Sequence, residues 1–134
     1  MNPIFVDASF WIALRAREEP EHEAARELAR RLAAERQPLV TTDLVFAEIH
    51  AYFSRWRRLR EQILSEFWDS GLFQFRDTTY ADKEEAVRLL RANQDKTYSF
   101  CDAVSFVVIK RLHLRRAASY DEHFRQFGGF EVLT

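Results

Sequence analysis

The 134-residue chain predicts an α/β fold, a parallel sheet covered on both faces by helices. Three observations carry this prediction. Short β-branched and aromatic runs recur along the chain, amphipathic stretches of helical period separate them, and only three Gly and three Pro interrupt the pattern.

The elements follow in order. "IFV" (4–6) reads as a short buried strand ending in Asp7. "HEAARELARRLAAER" (22–36) sets Ala25, Leu28, Leu32 and Ala33 on one stripe with charges opposite, which predicts an amphipathic helix. "LVTT" (39–42) is the next strand, and "LVFAEIHAYFSRW" (44–56) a helix N-capped by Asp43. "EFWDSGL" closes a further helix at Gly71, and "FQFRD" (73–77) is a third strand. "DKEEAVRLLRAN" (82–93) is amphipathic, whereas 100–112 is apolar nearly all round. "RAASY" (116–120) and "EVL" (131–133) are strands flanking a last short helix, "DEHFRQFGG", which stops at Gly128 and Gly129. With no repeat, low-complexity run or linker, residues 1–134 are expected to form one domain.

Composition excludes several functions. Twenty Lys plus Arg against 21 Asp plus Glu leave a net charge of −1, so a nucleic-acid site has to be a local patch. A single cysteine, Cys101, rules out an internal disulfide or a thiolate zinc cluster and fits a reducing cytosol. No run reaches the length of a membrane span, and "MNPIFVDAS" lacks a basic leader followed by an apolar core. A soluble cytoplasmic protein with no membrane partner is expected.

Four acids stand out: Asp7, Glu48, Asp102 and Asp121. In open α/β sheets ligands bind beyond the carboxyl ends of the strands, and Asp7 and Asp121 follow two strands that are close if they lie side by side. Both are equally placed to N-cap the helices after them. Glu48 lies among Val45, Ile49 and Tyr52, and is otherwise an exposed helix residue. Asp102 has Ser99, Ser105, Phe106, Ile109 and His113 on its helix face and no local cation. The helix dipole offsets only about 0.3–1 kcal/mol of a desolvation cost of several kcal/mol for a buried charge. Carboxylates gathered without Lys or Arg repel one another unless protonated or joined by a cation. An oxygen-only set suits Mg²⁺ or Mn²⁺ over Zn²⁺, since the four His make no ligand pair, and such an ion suits phosphodiester hydrolysis. His123 is expected to pack or hydrogen-bond within its own helix.

"FVDASFWIAL", "TTDLVFAEI", "YSFCDAVSFVVIKRL" and "RRAASYDEHF" resemble the four acidic motifs of the PIN-domain family, and within it toxins of the VapC type. The resemblance spans nearly the whole chain in order. It implies a Rossmann-like three-layer α/β/α sandwich with a mainly parallel five-stranded sheet. It further implies Mg²⁺- or Mn²⁺-dependent cleavage of RNA, a homodimer, and a cognate antitoxin partner. Asp7, Glu48 and Asp102 correspond to the metal-binding core and Asp121 to a more variable fourth acid, with Ser9 and Ser119 matching small hydroxyl residues beside them. Ser99 and Ser105 are further candidates for orienting Asp102. "DAS" replaces the frequent "DTS", and Ser119-Tyr120 the Thr-Phe pair that often precedes the last acid, without loss of an acid. A PIN nuclease of ordinary RNA processing and a silent PIN-like binding module are the alternatives.

"SRWRRLR" (54–60) places Arg55, Arg57 and Arg58 around Trp56 at the end of the Glu48 helix. It is equally a platform for RNA phosphates and bases, a contact for an acidic partner, or a solvated, dipole-favoured helix end. Most of the aromatics are expected in the core, with an exposed subset including Phe10, Trp11, Phe53 and Trp68 suited to a dimer or antitoxin groove.

Overall fold

The computed structural model describes residues 1–134. Five strands, β1 (Ile4–Val6), β2 (Leu39–Thr42), β3 (Phe73–Arg76), β4 (Arg116–Ala118) and β5 (Glu131–Leu133), form one sheet of order β3-β2-β1-β4-β5 with every pairing parallel. Each strand lies within the segment that β-branched and aromatic runs marked in the sequence.

Parallel neighbours need crossovers, and right-handed crossovers decide which face each helix covers. The chain steps from β1 to β2 through α1 (Ala8–Arg15) and α2 (His22–Ala34), and on to β3 through α3 (Asp43–Phe53) and α4 (Arg57–Leu64). One π-helical turn, Ser65–Asp69, prolongs α4. It then crosses back over the sheet through α5 (Tyr80–Ala92) and α6 (Phe100–Arg111) to β4, and reaches β5 through α7 (Glu122–Phe127). This reversal puts α1–α4 on one face and α5–α7 on the other, and makes β1/β4 the switch point.

Helix α6 is buried nearly all round over its middle: Ala103, Val104, Phe106, Val108 and Ile109 are buried and Val107 is half-buried, with α5 and α7 packed against it. Phe106 stacks on Phe127 (4.3 Å between centroids) and meets Phe124 edge-on (4.9 Å), which docks the six-residue α7 that its own hydrogen bonds would not sustain. Gly128, at φ 75°, ends α7 in the left-handed region that a side chain disfavours.

Three details differ from the sequence reading. Thr42, not Asp43, caps α3: its extended backbone brings Oγ1 to Val45 N (3.2 Å), while Asp43 accepts from Thr78 N (2.8 Å) and ties the β3–α5 loop down. The helix predicted to run through Trp56 stops at Phe53, and a new one begins after Trp56 with no side-chain cap. Phe10, Trp11 and Phe53 are buried in the core, leaving Trp68 as the exposed member of that group.

Opposite the sheet, Arg111 makes a bidentate pair with Asp82 (2.8 and 2.9 Å), which also closes the capping box of α5 with Thr79. Burial raises the proton affinity of Asp82, but Arg111 and the Thr79 donors outweigh it and hold the carboxyl below its usual range. Arg111→Ala strands a buried carboxylate. With the cost reduced because the guanidinium side is 42% exposed, we expect a loss of about 2–3 kcal/mol in urea denaturation at pH 7. The deficit should shrink as pH falls below about 4 and Asp82 takes up a proton, the direction for a depressed acid.

Candidate active site

β1 and β4 lie side by side, with Val6 opposite Ala118. Asp7 N donates to Ala118 O (3.1 Å), so the ladder runs one residue further and delivers the Asp7 side chain to the crevice at the switch point. Asp7 does cap α1, accepting from Ser9 N at 3.4 Å. The same oxygen, Oδ2, also accepts from Ser9 Oγ (2.6 Å) and Ser119 Oγ (2.8 Å). Having given their single protons to Asp7, the two hydroxyls turn their lone pairs to the next loop. Ser9 Oγ accepts from Tyr120 N (2.9 Å), and Ser119 Oγ from Asp121 N (3.0 Å). Ser9 and Ser119 thereby fix the loop of Asp121 against Asp7.

Asp102 enters from the first turn of α6. Ser99 caps that helix through a reciprocal box: Ser99 Oγ accepts from Asp102 N, and Asp102 Oδ2 accepts from Ser99 N, both at 3.0 Å. The second donor to Asp102 Oδ2 is His123 Nδ1, at 2.9 Å. Nδ1 also stands 3.4 Å from Oδ1 of Asp121, which caps α7 through His123 N (2.9 Å). His123 was expected to bond within its own helix. Its ring instead bridges α6 and α7, because capping by Asp121 aims the first turn of α7 at the start of α6. Ser105, on the next turn of α6, is buried and gives nothing to Asp102.

Glu48 is exposed on α3. Its carboxyl is nevertheless held above the usual range by partial burial, only partly offset by the Cys101 thiol and reinforced by the charges of Asp102 and Asp121. Cys101 is pushed far upward by its own burial and by Glu48 and Asp7, which leaves an inert thiol. A cleft of about 330 Å³ is lined by Asp7, Ser9, Glu48 and Asp121, together with Glu19, Glu21 and Tyr52. Neither Asp102 nor His123 lines this cleft; His123 connects Asp102 to Asp121, which does. Glu19, which accepts from Tyr52 Oη (2.9 Å), and Glu21 arrive on the α1–α2 loop. In the sequence they belong to an acidic run, "EEPEHE", that reads as a solvated turn.

The electrostatics follow from this crowding. Asp7 is 3% exposed, and burial raises its pKa to about 6 against the pull of Ser9 and Ser119, with Asp102 and Asp121 adding to the rise. His123 is the only basic side chain in ion-pair range of any of the four acids.

Each of the three aspartates commits one oxygen to protein donors and keeps the other without a protein partner. The committed atoms are Oδ2 of Asp7, Oδ2 of Asp102 and Oδ1 of Asp121. Asp102, Asp121 and His123 bring one ligand atom each within 4.8 Å of one another, and Asp7 and Glu48 are near enough to feel the charges of both aspartates; carboxylate oxygens so short of positive charge suit a hard divalent cation.

The basic segment lies elsewhere than its sequence suggested. With α3 ending at Phe53, Arg57, Arg58 and Arg60 occupy the first turn of α4, at the positive end of a helix dipole. Arg55 lies over the Trp56 ring at 5.0 Å, and Trp56 is 6.0 Å from the ring of Tyr52 at the cleft. Arg55, Arg57 and Arg58 take part in none of the ion pairs that engage Arg15, Arg26, Arg30, Arg88, Arg111 and Arg125.

An all-parallel five-stranded α/β fold with acids converging on its switch point defines the class. The chain belongs to the PIN-domain family, which matches residues 4–129. Over 131 residues, 96% of this chain and 97% of the relative, it is 30% identical to the 23S rRNA-specific endonuclease VapC20 of Mycobacterium tuberculosis. The crystal structure of VapC20, a Sarcin-Ricin loop cleaving toxin, aligns with a TM-score of 0.84 over 98% of this chain and 99% of that one. FitAcB from Neisseria gonorrhoeae shares the fold at a TM-score of 0.68 and 16% identity, covering 98% of this chain and 96% of its own.

Proposed function

We propose that the protein is the toxin of a type II toxin–antitoxin pair, a single-domain cytoplasmic endoribonuclease that hydrolyses RNA phosphodiester bonds with Mg²⁺ or Mn²⁺. The observation that carries this reading is the one free oxygen on each of Asp7, Asp102 and Asp121, beside Glu48 and with no Lys or Arg to neutralise them. These four residues are the ones to hold the ion. When bound, the ion supplies a more acidic water and stabilises charge on the leaving oxygen. Glu48, the most exposed of the four and raised in proton affinity, is the acid proposed to take up a proton during hydrolysis. Ser9, Ser99 and Ser119 hold the acids in place. VapC20, a 23S rRNA-specific endonuclease and toxin at 30% identity over nearly the full length, supports RNA as substrate and the role of a toxin.

Tyr52, Trp56 and the unpaired Arg55, Arg57 and Arg58 lead away from the cleft and are proposed to bind RNA bases and phosphates. A homodimer is the proposed assembly.

The test is to induce the protein and map cleavage sites across total cellular RNA beside an Asp7→Asn control. Discrete cuts are expected, with 23S rRNA the first place to look, and none in the control. Identical patterns in both would overturn the reading. Independently, Mn²⁺ at 100 times its Kd should stabilise the fold by about 2.7 kcal/mol, roughly 10 °C in Tm, reversed by EDTA.

A further inference from the structure

We infer that His123 is a positioning residue that holds Oδ2 of Asp102 through Nδ1–H and Oδ1 of Asp121 through its backbone N–H, leaving Oδ1 of Asp102 and Oδ2 of Asp121 to the divalent ion. The inference rests on the metal site proposed above and assigns a role to a side chain outside its four acids.

Both groups facing Nδ1 are carboxylate oxygens, Asp102 Oδ2 at 2.9 Å and Asp121 Oδ1 at 3.4 Å. Ionised carboxylates only accept, so Nδ1 carries the proton whether the ring is neutral or charged. The rest of the ring is fixed as well. Nε2 lies 3.0 Å from Thr97 Oγ1, and the ring meets the buried Tyr98 edge-on at 5.4 Å and 86°. The next residue, Ser99, donates its backbone N–H to the same Asp102 oxygen that His123 holds. Three consecutive residues, Thr97, Tyr98 and Ser99, therefore orient both the clamp and the acid it grips.

The clamp answers a definite need. Asp102 lies in the first turn of α6 and Asp121 caps α7, their carboxylates come within 4.8 Å of one another, and two carboxylates at that range repel. A donor between them offsets the repulsion and selects which oxygen of each stays available. Ligation by His123 itself requires a lone pair on the atom that faces two acceptors, and a hard ion prefers the oxygens already present.

The experiment measures Mn²⁺ affinity by EPR titration of the full chain for wild type, His123→Asn, His123→Gln and His123→Ala, with Tm recorded for each. The Asn amide nitrogen occupies the place of Nδ1, and the Gln nitrogen approaches that of Nε2. His123→Ala and His123→Gln should bind Mn²⁺ about tenfold more weakly, while His123→Asn recovers most of the loss. A merely structural ring contact with Tyr98 predicts no such difference between Asn and Gln. Should His123→Ala fail to fold, the Asn and Gln pair decides. Equal affinity for Asn and Gln variants, or wild-type affinity in His123→Ala, overturns the assignment alone. Pulsed-EPR coupling of a directly bound imidazole nitrogen to Mn²⁺ in the wild type also overturns it, since His123 is then a ligand. No Mn²⁺ binding by the wild type overturns the metal reading and this assignment with it.

Discussion

Asp102→Asn is expected to lower Mn²⁺-dependent RNA cleavage by about 10³-fold or more while leaving the metal-free protein at least as stable as wild type. The reason lies in the number of acceptors. Ser99 N and His123 Nδ1 both require an oxygen at the Oδ2 position, and an amide has only one to offer. Its NH₂ then points where Oδ1 stood, presenting partial positive charge to the place meant for a cation. At the same time the substitution removes one negative charge from beside Asp7 and Glu48, both of which Asp102 pushes upward in pKa. Cleavage of a fluorescent RNA, paired with thermal denaturation in EDTA, measures both halves. Near wild-type cleavage would remove Asp102 from the site, and a large fall in Tm would make it a structural acceptor only.

The second large effect concerns Asp7 and pH. Its folded pKa of about 6 lies above that of the unfolded chain, so the native state binds the extra proton between about pH 4 and 6. Stability contributed by that proton is present at low pH and lost as pH rises through about 6. A rise of about two pH units corresponds to about 3 kcal/mol. Urea denaturation in EDTA should therefore show wild type losing about that much between pH 4 and 7 relative to Asp7→Asn, whose amide oxygen can still accept from Ser9 and Ser119. Comparison with the variant cancels the opposite trend from Asp82, which loses stability as pH falls. Saturating Mn²⁺ should flatten the wild-type curve and leave the variant unchanged. A difference that stays constant with pH would show that Asp7 is not strained by burial.

What the sequence disclosed and withheld divides along physical lines. Strand positions were legible because parallel strands buried on both faces are dense in apolar residues, as in "IFV" and "LVTT". The meeting of Asp7 with the Asp121 loop followed once two strand ends were recognised. Asp102 drew attention because an acid on an otherwise buried helix conflicts with its surroundings. His123 gave no comparable sign: it sits on a short, partly polar helix, and its partner is an acid on another helix. Glu19 and Tyr52 were hidden for a similar reason, since a surface loop and an amphipathic helix each look ordinary alone. The break at 54–56 carries neither Gly nor Pro. The turn is closed by short-range bonds, Ser54 Oγ donating to Ala51 O (2.9 Å) and Trp56 N to Phe53 O (3.0 Å), with Phe53 buried where the helix ends.

That break also bears on how the sequence is shaped by selection. A chain optimised for folding alone would begin α4 with Asp or Glu, and this one begins with Arg57, Arg58 and Arg60 under an uncapped Trp56. Each exposed cation there costs about 0.3–1 kcal/mol relative to a helix end that welcomes it. Consensus or stability-guided redesign of this protein would rewrite that corner first. The same edit would erase the basic surface next to the cleft, so a thermostable descendant made that way is a poor guide to how the natural chain meets its substrate.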